Sequence, residues 1–190
     1  MRQEVVKYLV NTDLVDPSAS DNYAIRWAAR NGHLEVVEYL INTDLVDPSA
    51  NDNEAIRLAA AKGHLEVVKY LISTDLVDPS ADDNYAFRGA AAEGHLEVLK
   101  YLINLPKSYL IDPAADDNYV IGLAASNGHL EIVKYLISNG IVDPAVNDNQ
   151  AIRLAAENGH LEVVEYLINT DHVDPDARDN EAIRGVYNKY

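Results

Sequence analysis

NGHLEVV, residues 31–37, returns in four further copies along this chain of 190 residues. The later copies keep a Gly-His-Leu-Glu core and occupy residues 62–68, 93–99, 127–133 and 158–164. Self-similarity at a fixed spacing of about 20–50 residues is typical of stacked repeats. In such folds each unit buries its apolar side against the next unit, because it cannot bury that side alone.

The Asp-Asn pair gives the period of the repeat. It begins at Asp21, Asp52, Asp83, Asp117, Asp148 and Asp179, so its steps are 31, 31, 34, 31 and 31 residues. The long step comes from the connection at residues 105–109, and a three-residue insertion adds little closure entropy. One array over residues 1–190 is therefore predicted, with a half-repeat at 1–20, full repeats at 21–51, 52–82, 83–116, 117–147 and 148–178, and a half-repeat at 179–190.

Each unit is predicted to hold two short helices. In the first unit, residues 23–30 have apolar positions at helical spacing, and Asp21-Asn22 before them is a signal for an N-cap. Gly32 ends this helix, since glycine adopts a left-handed conformation without steric cost. Residues 34–42 form the second helix, with Leu34, Val37, Leu40 and Ile41 on its apolar face. The fold class is therefore all-α, a solenoid of stacked antiparallel helix pairs.

These residues resemble the ankyrin repeat, and the match covers nearly the whole chain. Ala28-Ala29 and GHLEVV at residues 32–37 match the centre of that pattern. The unit is most similar to shortened repeats of giant viruses and single-celled eukaryotes, and the resemblance implies a cut-back projecting finger. An arginine replaces the family's first-helix histidine at Arg26, Arg57, Arg88, Arg153 and Arg184, and Gly122 interrupts this column. We expect these arginines to bond Asp side chains or loop carbonyls of their own or the next unit.

Composition excludes several classes of function. A net charge of −16 argues against nucleic acid, which needs clustered Lys and Arg. There is no Cys, no apolar run of membrane-spanning length and no signal peptide at the N-terminus, so we expect a soluble cytoplasmic protein. The five periodic histidines are expected to start second helices and brace loops, because helix packing separates copies by about 8–10 Å and a metal ion needs closer ligands. No motif indicates catalysis or a cofactor, so we predict no enzyme activity, no metal site and no cofactor.

Columns that change between copies are the candidates for recognition. In the ankyrin family the matching positions line a concave groove, and the resemblance therefore implies a binding surface there. Its predicted residues are Tyr23, Arg30, Asn31, Glu54, Lys62, Tyr85, Glu93, Tyr119, Asn127, Gln150, Glu157 and Asn158. Free drift of surface positions is the alternative explanation. Trp27, the only Trp, belongs to an apolar column and is expected in the core.

The predicted function is non-catalytic binding of another protein through this groove. The alternative is a structural element that assembles head to tail, because the chain begins with a second helix and finishes with a first helix. A fragment of a longer array and a capped small protein also fit the two half-repeats. The sequence suggests no function for His172.

Overall fold

The computed structural model describes residues 2–12 and 14–170. Within these ranges the chain forms α-helices and no strand, which confirms the all-α prediction. The helices are α1 (Arg2–Asn11), α2 (Ala19–Arg30), α3 (Leu34–Ile41), α4 (Ala50–Ala61), α5 (Leu65–Ser73), α6 (Ala81–Ala92), α7 (Leu96–Ile103), α8 (Ala115–Ser126), α9 (Leu130–Ser138), α10 (Val146–Glu157) and α11 (Leu161–Ile168). A short 3-10 helix, Lys107–Tyr109, lies in the long connection between α7 and α8.

Contacts divide the described residues into two compact units. The first contains the residues up to Ala90 together with Glu97–Ile111, and the second contains Ala91–Leu96 and the residues from Asp112 onward. The predicted repeat boundaries therefore remain predictions. The half-repeat at 179–190, His172 and Arg184 lie outside the described residues.

In the first unit, first helices pack on first helices and second helices pack on second helices. The first helix α2 packs on α4 and the second helix α3 packs on α5, while α2 with α3 and α4 with α5 form the pairs. Ile25, Ala28 and Ala29 of α2 are buried, as the helical spacing predicts. In α3 the buried residues are Val36, Val37 and Leu40, whereas Leu34 and Ile41, predicted on the apolar face, are only half-buried. The alanines let neighbouring first helices approach closely, so the core runs from pair to pair.

The second unit repeats this arrangement. Here α8 packs on α10 and α9 on α11, while α8 with α9 and α10 with α11 form the pairs. Ile121, Ile132 and Ile152 lie among its fully buried side chains. The same sequence pattern therefore builds the same core in both units.

Glycine ends each first helix in the predicted way. Gly32 has φ +70, and its N–H donates to the Ala29 carbonyl at 3.1 Å. The N–H of His33 donates to the Ala28 carbonyl at 3.0 Å. These two bonds make a Schellman motif, which satisfies carbonyls that the end of the helix leaves without intrahelical donors.

The N-cap prediction for Asp21-Asn22 is wrong. Ser20, Asp21 and Asn22 have φ between 55 and 61, so they form a left-handed turn and the right-handed helix starts at Tyr23. The Asn22 Oδ1 atom accepts the N–H of Asp47, in the loop before α4, at 2.7 Å. Asn53 makes the same bond to the Asp78 N–H. The Asn therefore joins the start of one first helix to the loop that leads to the next first helix. Short polar residues suit its backbone because Asn and Asp tolerate the left-handed region.

Candidate functional site

Arginines of the first helices bond the turn at the start of their own helix, and Arg26 and Arg57 also pair with an acid on the next first helix. The Arg26 Nη2 donates to the Ser20 carbonyl at 2.9 Å, and its Nη1 pairs with the Glu54 carboxylate. Arg57 does the same with the Asn51 carbonyl and with Asp82. Arg88 and Arg153 also donate to the carbonyl six residues earlier, at 3.0 and 3.2 Å. The expected structural role is confirmed for these four described arginines.

Glu54 is predicted as a binding residue, but its carboxylate is bonded to Arg26 and Asn51 of the same chain. Its burial acts to raise its pKa, but hydrogen bonds from Arg26 and Asn51 and the charges of Arg26 and Arg57 outweigh this effect. The pKa of Glu54 therefore lies below its ordinary value. The carboxylate stays ionised at neutral pH and stabilises the junction between two repeats.

Histidines of the Gly-His pairs brace neighbouring repeats. The Nε2 atoms of His64, His129 and His160 each lie 2.9 Å from a carbonyl of the preceding repeat, at Arg30, Ala92 and Ser126 respectively. A Cβ atom built at Gly32 would lie 2.5 Å from the Nδ1 of His64. Glycine is thus required both for its positive φ and for the space that the next histidine ring fills. The predicted bracing role is confirmed for His64, His129 and His160.

Three predicted binding residues have a local structural task as well. The side-chain amides of Asn31, Asn127 and Asn158 donate to carbonyls four residues earlier, at 2.7, 2.9 and 2.9 Å. These bonds satisfy the last turn of a first helix. The sequence signal was present, since Asn directly before the helix-ending Gly is typical of such a cap. All three residues remain exposed, as do Lys62, Glu93 and Glu157.

Aromatic residues of the first helices are exposed and held in place. Tyr23, Tyr85 and Tyr119 are 51%, 42% and 41% exposed. The Tyr23 ring stacks on Trp27 with 5.6 Å between centroids, and the Arg57 Cζ lies 5.1 Å from the Tyr85 centroid. Cation–π and stacking contacts of this kind orient a ring without burying it.

Trp27 is not in the core. It is 47% exposed, and the guanidinium of Arg30 lies over its ring at 4.7 Å. The same column is packed in later repeats. Leu154 belongs to this column, and its Cδ1 lies 3.5 Å from a Cβ atom built at Gly122 of the preceding first helix. Gly89 also belongs to it, and a Cβ atom built there would lie 3.1 Å from Ala61. This column therefore faces the preceding first helix, and Trp27 is exposed because no described helix precedes α2 on that side.

Gln150 occupies the repeat position that holds Tyr23 and Glu54 in earlier repeats, and its side chain is half-buried. Its side chain lies beside Gly122, where a Cβ atom would be 3.8 Å from Oε1. The absence of an arginine at residue 122 is thus matched by an uncharged residue in the next repeat.

A sequence comparison decides the family. A family model described as ankyrin repeats (3 copies) matches residues 1–83 and 87–179. The chain belongs to the ankyrin-repeat family. Ankyrin repeats are generally protein–protein interaction modules and generally non-catalytic. Comparison with curated protein sequences finds no match.

The three N-terminal helices, α1 to α3, border an open pocket of about 650 Å³. Its lining combines α1, α2 and α3 and includes Val5, Val6, Tyr23, Trp27 and Val36. The pocket contains few polar groups, and Asn31 and His33 lie at its edge.

Over residues 2–12 and 14–170, no cluster of His, Asp and Glu has the arrangement of a metal site. In the same ranges no ankyrin helix has the length and apolar character needed to cross a bilayer.

Proposed function

We propose that this chain is a non-catalytic recognition module that binds another protein through the variable face of its first helices, the concave side in the ankyrin resemblance. The exposed tyrosines support this proposal most directly. Tyr23 and Tyr85 belong to the first unit and Tyr119 to the second, so each unit offers its own anchors. Tyrosines are enriched among the residues that contribute most to binding energy.

Preorganisation favours these rings as anchors. Tyr85 is positioned by Arg57, and Arg57 is itself held by the Asn51 carbonyl and by Asp82. A ring that is already oriented loses less side-chain entropy when a partner binds. Lys62 of the first unit and Glu93, Gln150 and Glu157 of the second are further candidate contacts, and they include both charge signs. The candidate residues therefore suit a partner of mixed charge.

Affinity measurements on tyrosine variants test the proposal. The immobilised full chain is used to isolate a partner from its host's lysate, and binding of that purified partner is then measured for Tyr85→Ala and Tyr119→Ala. We expect the Kd to rise about tenfold or more for each variant, as at other aromatic anchors. Thermal unfolding should change little, because both rings are exposed.

Tyr8→Ala is the matched control. Tyr8 is 65% exposed on the second helix α1, away from the variable face of the first helices. The Tyr8→Ala substitution should leave the Kd for the purified partner unchanged. Equal binding by all three variants would contradict the proposal, and loss of folding in Tyr85→Ala would assign that ring a structural role instead.

Head-to-tail self-assembly is a second candidate function. The open pocket beside α1 and α2 favours self-assembly, because exposed apolar surface of this kind marks an interaction site. It differs from the first candidate in needing no foreign partner.

A further inference from the structure

Asparagine directly followed by glycine occurs four times in the chain, at Asn31, Asn127, Asn139 and Asn158. In such a pair the backbone nitrogen of the glycine attacks the side-chain Cγ atom of the asparagine. A C–N bond forms, ammonia leaves, and the resulting succinimide ring takes up water to give aspartate or isoaspartate. Glycine favours this reaction because it has no side chain to hinder the attacking nitrogen. The fold decides which pair reacts first, since the dipeptide is the same in all four.

All four asparagines stand at the end of a helix, and that end has to open before the succinimide ring forms. Asn31 has φ −98 and ψ 6, and Asn139 has φ −96 and ψ 5, so their backbones are nearly the same. The Gly140 N–H donates to the Ile137 carbonyl at 2.9 Å, so this nitrogen is bonded rather than free to attack. The rate of deamidation therefore follows the fraction of molecules in which the last turn is open.

Opening at Asn31 is opposed by the following repeat. The ring of His64 fills the space beside Gly32, where an added Cβ would lie 2.5 Å from its Nδ1. The Nε2 of this ring lies 2.9 Å from the carbonyl directly before Asn31. Local opening must displace the ring and break its hydrogen bond as well as the bonds of the helix end. The pair at residues 127–128 is held by His160 in the same way.

Asn158 is bonded to a second helix. Its side-chain amide donates to the Ser126 Oγ of α8 at 3.1 Å, in addition to the Leu154 carbonyl of its own helix at 2.9 Å. Opening of the turn at Asn158 therefore also breaks a contact between the first helices α8 and α10.

The side chain of Asn139 is held within its own helix end. Its amide donates to the Tyr135 carbonyl at 2.8 Å and to the Ser138 Oγ at 3.3 Å, and both partners belong to α9. Ser138, Asn139 and Gly140 are all exposed, and no described atom lies within 4 Å of a Cβ atom built at Gly140. We propose that Asn139 is the site at which the folded chain deamidates spontaneously, with water as the co-reactant.

Deamidation of Asn139 weakens the end of α9. A carboxylate has no proton to donate to the Tyr135 carbonyl, and its charge lies near the negative end of the helix dipole. Isoaspartate also lengthens the main chain inside the turn in which the Ile141 N–H donates to the Leu136 carbonyl at 3.0 Å. Each event adds one negative charge to a chain with a net charge of −16. The second unit therefore loses stability as the protein ages.

Peptide mapping by mass spectrometry measures the reaction at each site of the full chain. The folded protein is incubated at neutral pH, and the exchange of the side-chain NH2 group for OH is followed at all four asparagines. We expect Asn139 to react about tenfold or more faster than Asn31 and Asn127, because the histidine bond and ring packing oppose opening there. The rate at Asn158 should lie between. In urea-unfolded chain the four rates should converge.

Two variants separate the dipeptide from its place in the fold. Gly140→Asp should preserve the backbone, since Asp44 has φ 56 at the same repeat position and Gly140 has φ 62. Its side chain hinders the attacking nitrogen and should lower the rate at Asn139 severalfold. Asn139→Thr removes the reactive amide and introduces the residue found at Thr43 in the same column. The urea midpoint of Asn139→Thr should stay constant on incubation, whereas that of the wild type should fall.

The rate ranking in the folded chain decides the proposal. A rate at Asn139 no higher than the rates at Asn31 and Asn127 would overturn it. The same ranking in unfolded chain would overturn it as well, because neighbouring sequence would then explain the difference. A fall of the urea midpoint in aged Asn139→Thr equal to that of aged wild type would contradict the predicted loss of stability. Should Asn139→Thr fail to fold, Gly140→Asp provides this comparison.

Discussion

At the scale of the residue, polar side chains specify how one repeat meets the next. Arg26 reaches back to the Ser20 carbonyl and forward to Glu54, while Asn22 accepts the N–H of Asp47. Each of these groups would otherwise be partly buried without a partner, which is costly. The same repeat position therefore holds an ion-paired glutamate at Glu54 and an exposed aromatic ring at Tyr85.

Glu54→Gln should lower stability in a pH-dependent way. The native pKa of Glu54 is depressed, so its contribution is present above its unfolded pKa of about 4.3 and is lost as pH falls through the native pKa. At pH 7 we expect the free energy of unfolding of the variant to be about 0.5–1 kcal/mol lower than that of the wild type. The difference is small because solvent screens this half-buried ion pair. Urea titrations at pH 7 and pH 3 at fixed ionic strength measure the difference, which should narrow at pH 3.

Glu66→Gln is the matched control for this titration. Glu66 pairs with Lys69 at 2.8 Å within one helix, and its side chain is 67% exposed. Its replacement should have a smaller effect at pH 7, because exposed pairs contribute little. A pH-independent loss of stability in Glu54→Gln would show that packing, not charge, explains its effect.

At the scale of the element, the turn between the two helices is also the joint between repeats. Gly128 ends α8, and its missing side chain leaves space for His160, whose Nε2 lies 2.9 Å from the Ser126 carbonyl. One Gly-His pair therefore ends one helix, starts the next and receives the histidine of the following copy. Gly32 and Gly94 receive the ring of His64 and of His129 in the same way, which explains the recurrence of Gly and His at these joints.

Gly128→Ala and Gly159→Ala separate the two requirements. Both glycines have similar φ, +75 and +78, so alanine pays about 1–2 kcal/mol for the left-handed backbone at each. Only at Gly128 would the new Cβ lie 2.5 Å from the His160 Nδ1, whereas nothing lies within 4 Å at Gly159. We expect Gly128→Ala to lose about 1–3 kcal/mol more than Gly159→Ala in urea unfolding.

Adding His160→Ala should remove this extra loss. The double-mutant cycle of Gly128→Ala and His160→Ala should give a coupling energy of about 1 kcal/mol or more. Additive effects would mean that the ring moves aside freely and that only the backbone conformation requires glycine.

At the scale of the whole molecule, copying of one unit produces strong self-repulsion. The chain has 31 acidic and 15 basic residues, and most of the acids belong to columns that every repeat shares. Local pairs such as Lys100 with Glu97 offset only a part of this excess. Charge of one sign destabilises the folded state because it brings like charges closer than in the unfolded chain.

Stability should therefore increase with salt. Between about 10 and 150 mM NaCl the Debye length falls from about 30 to 8 Å, so repulsion between repeats is screened. We expect the urea midpoint to rise over this range, and KCl should act like NaCl because screening depends on ionic strength. A falling midpoint would indicate that the ion pairs of Arg26 and Arg57 outweigh the net repulsion.

Much of the fold follows from the sequence alone, because period and apolar spacing are local properties. The all-α class, the end of the first helix at Gly32, the bracing role of the histidines and the bonding of the arginines were all predictable in this way. The candidate surface was predictable only as a set of columns. The sequence could not tell which members also cap a helix, as Asn31 does, or pair within the chain, as Glu54 does.

The sequence by itself determined the repeat, its helices and the residue types at each joint, since these depend on neighbours within one or two units. Only the tertiary structure decided that Ser20–Asn22 turns left-handed, that Asn22 bonds the loop before α4, and that Trp27 is exposed beside an open pocket. The physical reason is that exposure and hydrogen-bond partners depend on which helix lies across from a residue. Leu154 packs beside Gly122 of the preceding first helix, whereas Trp27 in the same column has no described first helix across from it and is 47% exposed.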